Sequence, residues 1–378
     1  DTLKKTNKKR RTFLKKSIQS VAAASTFSLV SCQMDATENI QKGPYINFNN
    51  TYRWKMTTTW SPNFPVLGEG CNELAQWIKK MSGGRLEINV YGGGELIPAL
   101  EGFDAVSNGA VEMNHGSAYY WAGKLPAGQF LSTIPFGVNA QLMDTWILCN
   151  GGQKLWEELY APFDLLPISA GNTGCQMGGW FNREINSIND LKGLKMRMPG
   201  LGGKVLAKAG GTPMLMAGGE IYTNLERGVI DATEWIGPYH DYLMGFHNVA
   251  KYYYYPGWHE LGTVLEMLVN KSKFEALPTD LQEIIRTACL RLNRIVPIKF
   301  DTMNASYLPK IQAEPTVSMR PYPDAVMDTL REKTVETITE LTEQDPQSKK
   351  IYSAFLEFQK KIIPWTQITE KPFYSKMI

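Results

Sequence analysis

The sequence predicts an α/β protein of two lobes, and three observations carry that expectation. About 330 residues remain once a leader and a polar tether are set aside, more than a single core usually covers. Two stretches then repeat one grammar, short β-type runs alternating with helix-period runs. Between them and a helical tail lies a β-rich stretch, 251–269, suited to crossing back from one lobe to the other.

The N-terminus comes first. Residues 1–32 hold eight basic residues (Lys4, Lys5, Lys8, Lys9, Arg10, Arg11, Lys15, Lys16) and one acid, followed by an apolar run from Ile18 to Val30. That run is too short for a bilayer, which takes roughly 20 apolar residues, so it reads as the core of an export signal. Arg10-Arg11-Thr12-Phe13-Leu14-Lys15 resembles the twin-arginine export pattern, and Leu29-Val30-Ser31-Cys32 resembles a lipobox in which Cys32 is acylated. Residues 33–49, with Asp35, Glu38, Asn39, Gln41 and Gly43-Pro44, read as a flexible tether.

Setting the leader aside reverses the charge. It holds eight of the 40 basic and one of the 37 acidic residues, so the remainder carries 32 against 36, a net of −4 in place of +3. No global basic field is left to attract nucleic acid. Besides Cys32 there are Cys71, Cys149, Cys175 and Cys289, without CxxC spacing or histidine partners, so no zinc site is indicated. Their disulfide state stays open.

The first folded run, Tyr52–Thr57, alternates as a half-buried strand does. A helical period follows through Cys71, Leu74, Trp77, Ile78 and Met81 and closes on Gly83-Gly84. Strand Leu86–Tyr91, helix Pro98–Ser107 and a short strand Val111–His115 complete a parallel α/β unit. The second unit runs from helix Leu155–Ala161 through strands 166–170 and 178–181 to a strand ending in Arg197. Helix Gly203–Ala209, the run Thr212–Met214, and a helix stopping at Gly228 before a strand at 229–232 follow. Thr279 with Gln282 reads as a capping box opening a helix that Pro297 is placed to kink. Beyond it the pattern is helical to about residue 362.

Several chemistries are excluded by spacing. Gly200-Leu201-Gly202-Gly203-Lys204-Val205 has neither the first glycine nor the Ser/Thr of a P-loop, and Val205 stands where a dinucleotide fingerprint needs its third glycine. There is no Gly-x-Ser-x-Gly elbow, and His115, His240, His247 and His259 lack HExxH spacing. The first three read as structural or surface residues, whereas His259 draws notice for its neighbours Trp258 and Glu260. Arg197 at a strand end, before Pro199-Gly200, can offer a planar fork to a carboxylate. Glu234-Trp235 and Trp258-His259-Glu260 set acids beside tryptophans, and two acids near an amide such as Gln176 form a hard-oxygen set for Na⁺ or Ca²⁺.

These residues carry a resemblance. Gly174–Phe181 and Ile188–Arg197, then Leu225–Ala232 and Val269-Asn270-Lys271, resemble the solute-binding proteins of tripartite ATP-independent periplasmic (TRAP) transporters, over about residues 50–345. Gln176–Trp180, Glu234-Trp235 and Ala118-Tyr119-Tyr120-Trp121 are similar to the branch that binds 2-oxo monocarboxylates such as pyruvate with a metal ion. The resemblance implies a two-lobed periplasmic-binding-protein fold with crossover strands, a long bridging helix and C-terminal helices. Its lobes would span 50–174 and 175–256. Residues 257–300 would return to the first lobe and form the bridging helix, and 301–378 would complete the second lobe and add the C-terminal helices.

For the site, the resemblance implies that Arg197 clamps the substrate carboxylate. Gln176, Glu234, Glu260 and the backbone carbonyl of Trp235 would hold Na⁺ or Ca²⁺, with Gln176 also at the substrate. Trp60, Phe64, Tyr119 and Trp235 would form the apolar walls. The implied partners are a small carboxylate, the small and large membrane subunits of a TRAP permease, and a second copy through the C-terminal helices. The rival readings are the same machinery for lactate or a C4-dicarboxylate, and an exported enzyme acting on an oxo acid. A dicarboxylate wants a second cationic clamp, for which nothing matching Arg197 is found, and the enzyme a catalytic base, for which only His259 beside Glu260 offers itself.

Overall fold

The structure, a computed structural model, describes residues 50–376. The leader, Cys32 and the tether lie outside the described residues. Strands β1 (Tyr52–Thr58), β2 (Leu86–Tyr91), β3 (Met113–Gly116), β4 (Leu165–Asn172) and β10 (Val264–Asn270) form one sheet, in the order β2-β1-β3-β10-β4. A second sheet, in the order β11-β9-β5-β8-β6-β7, takes β5 (Gly179–Phe181), β6 (Lys195–Arg197), β7 (Thr212–Met214), β8 (Ala232–Thr233), β9 (Tyr252–Tyr255) and β11 (Ser318–Pro321). Each sheet with its covering helices is one lobe.

The register follows the alternation of the sequence. On β1, Trp54 and Met56 are buried and Arg53 and Lys55 exposed, and Trp54 pairs with Ile88 while Met56 pairs with Met113. In each sheet one strand opposes both its neighbours: β10 against β3 and β4, and β5 against β8 and β9. These are the strands that enter from the other lobe, β5 after β4 and β10 after β9. The chain therefore crosses between lobes along 173–178 and 256–263, and returns to the second sheet at β11. The two crossings lie side by side, with Thr173 N donating to Thr263 O (3.0 Å) and Gly257 N to Gln176 O (2.9 Å).

The helix Leu67–Met81 buries Leu67, Cys71, Leu74 and Ile78, the i, i+3, i+4 face, and ends where Gly83 and Gly84 take positive φ. Each such apolar side chain contributes about 1.5–3 kcal/mol of burial free energy. A 34-residue helix, Thr279–Gln312, packs Leu281, Ile285, Leu292, Val296 and Phe300 inward. Asn293 fastens it to β4, accepting from Ser169 Oγ and Gly171 N, both at 2.9 Å.

Three local expectations change. The capping box at Thr279 is not formed: Pro278 is the N-cap without a side-chain bond, and Gln282 donates instead to Leu277 O (2.9 Å). The helix carrying Pro297 runs on through it to Gln312. The stretch 251–269 is two strands of different sheets joined by an irregular crossing. The helical tail is interrupted by β11, which runs parallel to β9 at the sheet edge, where Pro321 costs no ladder bond. Among the described residues no helix is long and apolar enough to cross a membrane. Cys71, Cys149, Cys175 and Cys289 are free thiols.

Candidate functional site

The two crossings and the ends of β6 and β8 meet in one buried place. Pairing of β6 with β8 sets Arg197 opposite Thr233, so the next residue, Glu234, lies beside the guanidinium. Both side chains are 1% exposed, and Arg197 Nη1 donates to Glu234 Oε1. The guanidinium also reaches Met216 O and Tyr120 Oη, each at 3.5 Å, and lies 5.1 Å from the centre of the Trp235 ring. Burial pulls the Arg197 pKa down, but Glu234 and the phenols of Tyr120 and Tyr119 outweigh it, and the net shift is upward. Arg197 is therefore a permanent buried cation, which is tolerable only with an anion against it.

The crossings supply the rest. Gln176 Nε2 donates to Glu260 Oε2 (2.6 Å) and Thr173 Oγ1 (3.0 Å), which leaves Gln176 Oε1 buried without a hydrogen-bond partner among the described residues. Glu260 also accepts from Thr263 Oγ1, and burial, reinforced by the charge of Glu234, pushes its pKa up to about 7. Glu234, His259 and Glu260 each offer a ligand atom within 4.8 Å of the others, with His259 Nε2 3.6 Å from Glu234 Oε2. Two buried carboxylates and an orphaned amide oxygen fit a hard cation such as Na⁺ or Ca²⁺. Bound there, the ion supplies positive charge to both acids and to any anion beside it.

Trp60, Tyr119, Tyr120, Thr173, Gln176, Arg197, Trp235, Ile236 and Leu265 enclose the adjoining cavity, of about 10 Å³, roughly one water position. Of the wall residues expected, Trp60, Tyr119 and Trp235 line it. Phe64 does not, standing one layer back with its ring 6.1 Å from that of Trp235. Trp235 itself fits because Gly218 has no side chain: a Cβ there would lie 2.6 Å from the indole ring. A groove of about 410 Å³, lined by Thr59, Ser61 and Gly93 of one lobe and Met216, Gly219 and Glu220 of the other, lies beside it. A larger surface groove of about 660 Å³, along the Leu67–Met81 helix, has no buried charge, so the chemistry lies in the small cavity.

Sequence reasoning passed over Tyr120, Thr173, Ile236 and Leu265 as individual site residues, and the histidines behind the walls. His115 and His240 are fully buried, and each accepts a hydrogen bond from a wall indole: Trp60 Nε1 to His115 Nδ1 (2.8 Å) and Trp235 Nε1 to His240 Nδ1 (3.3 Å). Burial pulls their pKa values down, to about 4 and about 3, so both are neutral. No spacing in the sequence signals these partners.

Residues 56–345 match the model of the bacterial extracellular solute-binding protein family 7. The chain belongs to that family. A monocarboxylate 2-oxoacid-binding periplasmic protein of Nostoc is 40% identical to this family member over 92% of its chain and 94% of the relative. A solved TRAP periplasmic solute-binding protein of Pseudoalteromonas atlantica, with bound sodium and pyruvate, is 39% identical. It superposes with a TM-score of 0.84 over 86% of this chain and 99% of its own. A TRAP solute-binding protein of Bordetella bronchiseptica, solved as a dimer with calcium and picolinate, is 38% identical, with a TM-score of 0.85 over 87% and 98%. The chain is thus a TRAP solute-binding protein.

Proposed function

We propose that this protein captures a short 2-oxo monocarboxylate of the pyruvate class together with Na⁺ or Ca²⁺ and carries it to a TRAP permease of small and large membrane subunits. The observation that carries this reading is the Arg197–Glu234 pair beside Gln176 and Glu260. In the first step the pair exchanges partners. The ligand carboxylate takes Arg197, accepting two parallel N–H bonds worth about 1.5–3 kcal/mol each. Glu234, Glu260, Gln176 Oε1 and the Trp235 carbonyl would hold the cation, which would supply the counter-charge Glu234 gives up when Arg197 turns to the ligand. Either guest alone leaves one half of a buried pair uncompensated, so anion and cation enter together. Because Gln176 and Glu260 lie on the interlobe crossings, filling the site and closing the hinge involve the same backbone. A micromolar affinity, about −8 kcal/mol, is within reach of these contacts.

The lobe limits at 174/175 and 256/257 fit the two crossings. The leader supports export and acylation of Cys32, which would hold the protein at a membrane facing the periplasm. Trp365, Ile368 and Tyr374, 59%, 73% and 67% exposed on the last two helices, support pairing with a second copy, as does the dimer of the Bordetella relative. Among the described residues lining the cavity Arg197 is the one cation, which favours a monocarboxylate over a C4-dicarboxylate.

The test is a thermal-shift panel of 2-oxo acids, 2-hydroxy acids and dicarboxylates, each with and without Na⁺ or Ca²⁺. The expected result is the largest stabilisation from a short 2-oxo acid with cation present. Greater stabilisation by a dicarboxylate would overturn the ligand class, and steady turnover of any ligand would move the protein to the enzymes.

A further inference from the structure

The tryptophans walling the cavity are held alike from opposite lobes. Trp60 follows β1 and Trp235 follows β8, and each gives its indole N–H to an imidazole Nδ1. An indole nitrogen is a donor only, so each Nδ1 carries the lone pair and each Nε2 the proton. Nε2 of His115 then donates to Ala170 O (3.2 Å) and Nε2 of His240 to Pro65 O (2.8 Å). Both relays run carbonyl, imidazole, indole, and neither imidazole lines the cavity. The second joins the lobes, since Pro65 precedes the Leu67–Met81 helix of the first lobe and His240 lies in the helix Pro238–Leu243 of the second. The His240 ring also packs on Phe64 at 4.7 Å.

Resting on the 2-oxo acid reading, we propose that His115 and His240 are positioning residues that set ligand specificity from behind the walls. By engaging both indole N–H groups they leave the ligand tail facing ring carbon, without a hydrogen-bond donor from either tryptophan. A methyl or ethyl tail loses nothing there, whereas a tail hydroxyl gives up its water and finds no partner on those walls. His240 has a second effect, because its relay forms only with the lobes together: it ties the pose of Trp235 to closure.

An isosteric pair of ligands tests this, 2-oxobutanoate and 3-hydroxypyruvate, titrated calorimetrically at saturating Na⁺ or Ca²⁺. The native protein is expected to favour 2-oxobutanoate on the order of tenfold. His115→Phe and His240→Phe free an indole N–H and bring the ratio towards parity, and His240→Phe also weakens both ligands. His115→Gln and His240→Gln, whose amide can accept and donate at once, restore the preference. Where a phenylalanine variant does not fold, His115→Leu or His240→Leu takes its place, since leucine also accepts no hydrogen bond and is expected to bring the ratio towards parity. An unchanged ratio in folded phenylalanine or leucine variants, or pyruvate binding without discrimination in the native protein, overturns the proposal alone. Failure of the native protein to bind any 2-oxo acid overturns the parent reading, and this one with it.

Discussion

Each lobe buries an ionisable side chain deep in its structure, and the two are handled in opposite ways. In the first, Glu266 on β10 is fully buried and accepts from Trp121 Nε1 and from Tyr160 Oη (3.1 Å). With neutral donors as partners, burial pushes its pKa up to about 8, so it stays protonated and uncharged at neutral pH. In the second, Arg197 cannot shed its charge and is held by Glu234. A buried group that can become neutral is structurally complete. A permanent charge needs a counter-charge, and where that can be exchanged the place becomes a binding site.

Removing the permanent charge breaks the contrast most severely. Arg197→Ala should lower pyruvate affinity at least about a hundredfold by calorimetry, since two charge-assisted bonds go, and Arg197→Lys should recover only part of it for want of the planar fork. A Glu260→Gln variant should bind Na⁺ or Ca²⁺ on the order of tenfold more weakly, and the pyruvate affinity should follow the cation's. Gly200→Ala probes closure. Gly200 sits at φ +60, and a Cβ there would lie 2.9 Å from that of Tyr119 across the cleft. With about 1 kcal/mol of left-handed strain, a several-fold affinity loss should appear with little change in the circular dichroism.

The smallest effect on binding belongs to the first lobe. Glu266→Gln should leave pyruvate affinity unchanged. Its signature is in stability: between the ordinary glutamate pKa of 4.5 and about 8 the unfolded chain ionises while native Glu266 keeps its proton. That contribution is complete at lower pH and is lost as pH rises through the window. The melting temperature of the variant should therefore gain on the native protein with rising pH and level off above about 8. A parallel pair of curves would remove the neutral-acid half of the comparison.

What the sequence made legible follows the range of the interactions. β1, the Leu67–Met81 helix and β2 were readable because their alternation, period and closing glycines are local. The stretch 251–269 read as one because Tyr252–Tyr255 and Val264–Asn270 are both β-formers, and only long-range pairing assigns them to different sheets. β11 has four residues and a proline, too little pattern to stand out from the helices around it. In the site, Arg197 was visible as an arginine closing a strand. Gln176, Glu234 and Glu260 stood out as amide and acids of the right kind, but their grouping came from the family resemblance, since no spacing joins residues 84 positions apart. Phe64 was placed on the wall and stands behind it. His115 was beyond reach, because its indole partner lies 55 residues away, just past another strand.

The account depends most on anion and cation entering the Arg197–Glu234 pair together. Titration of pyruvate into protein stripped of metal and kept free of Na⁺, repeated with Na⁺ or Ca²⁺ present, measures that directly. It predicts tight binding only where a cation is present, with the cation's own affinity raised by the same factor when pyruvate is there first. Equal pyruvate affinity with and without cation would contradict it.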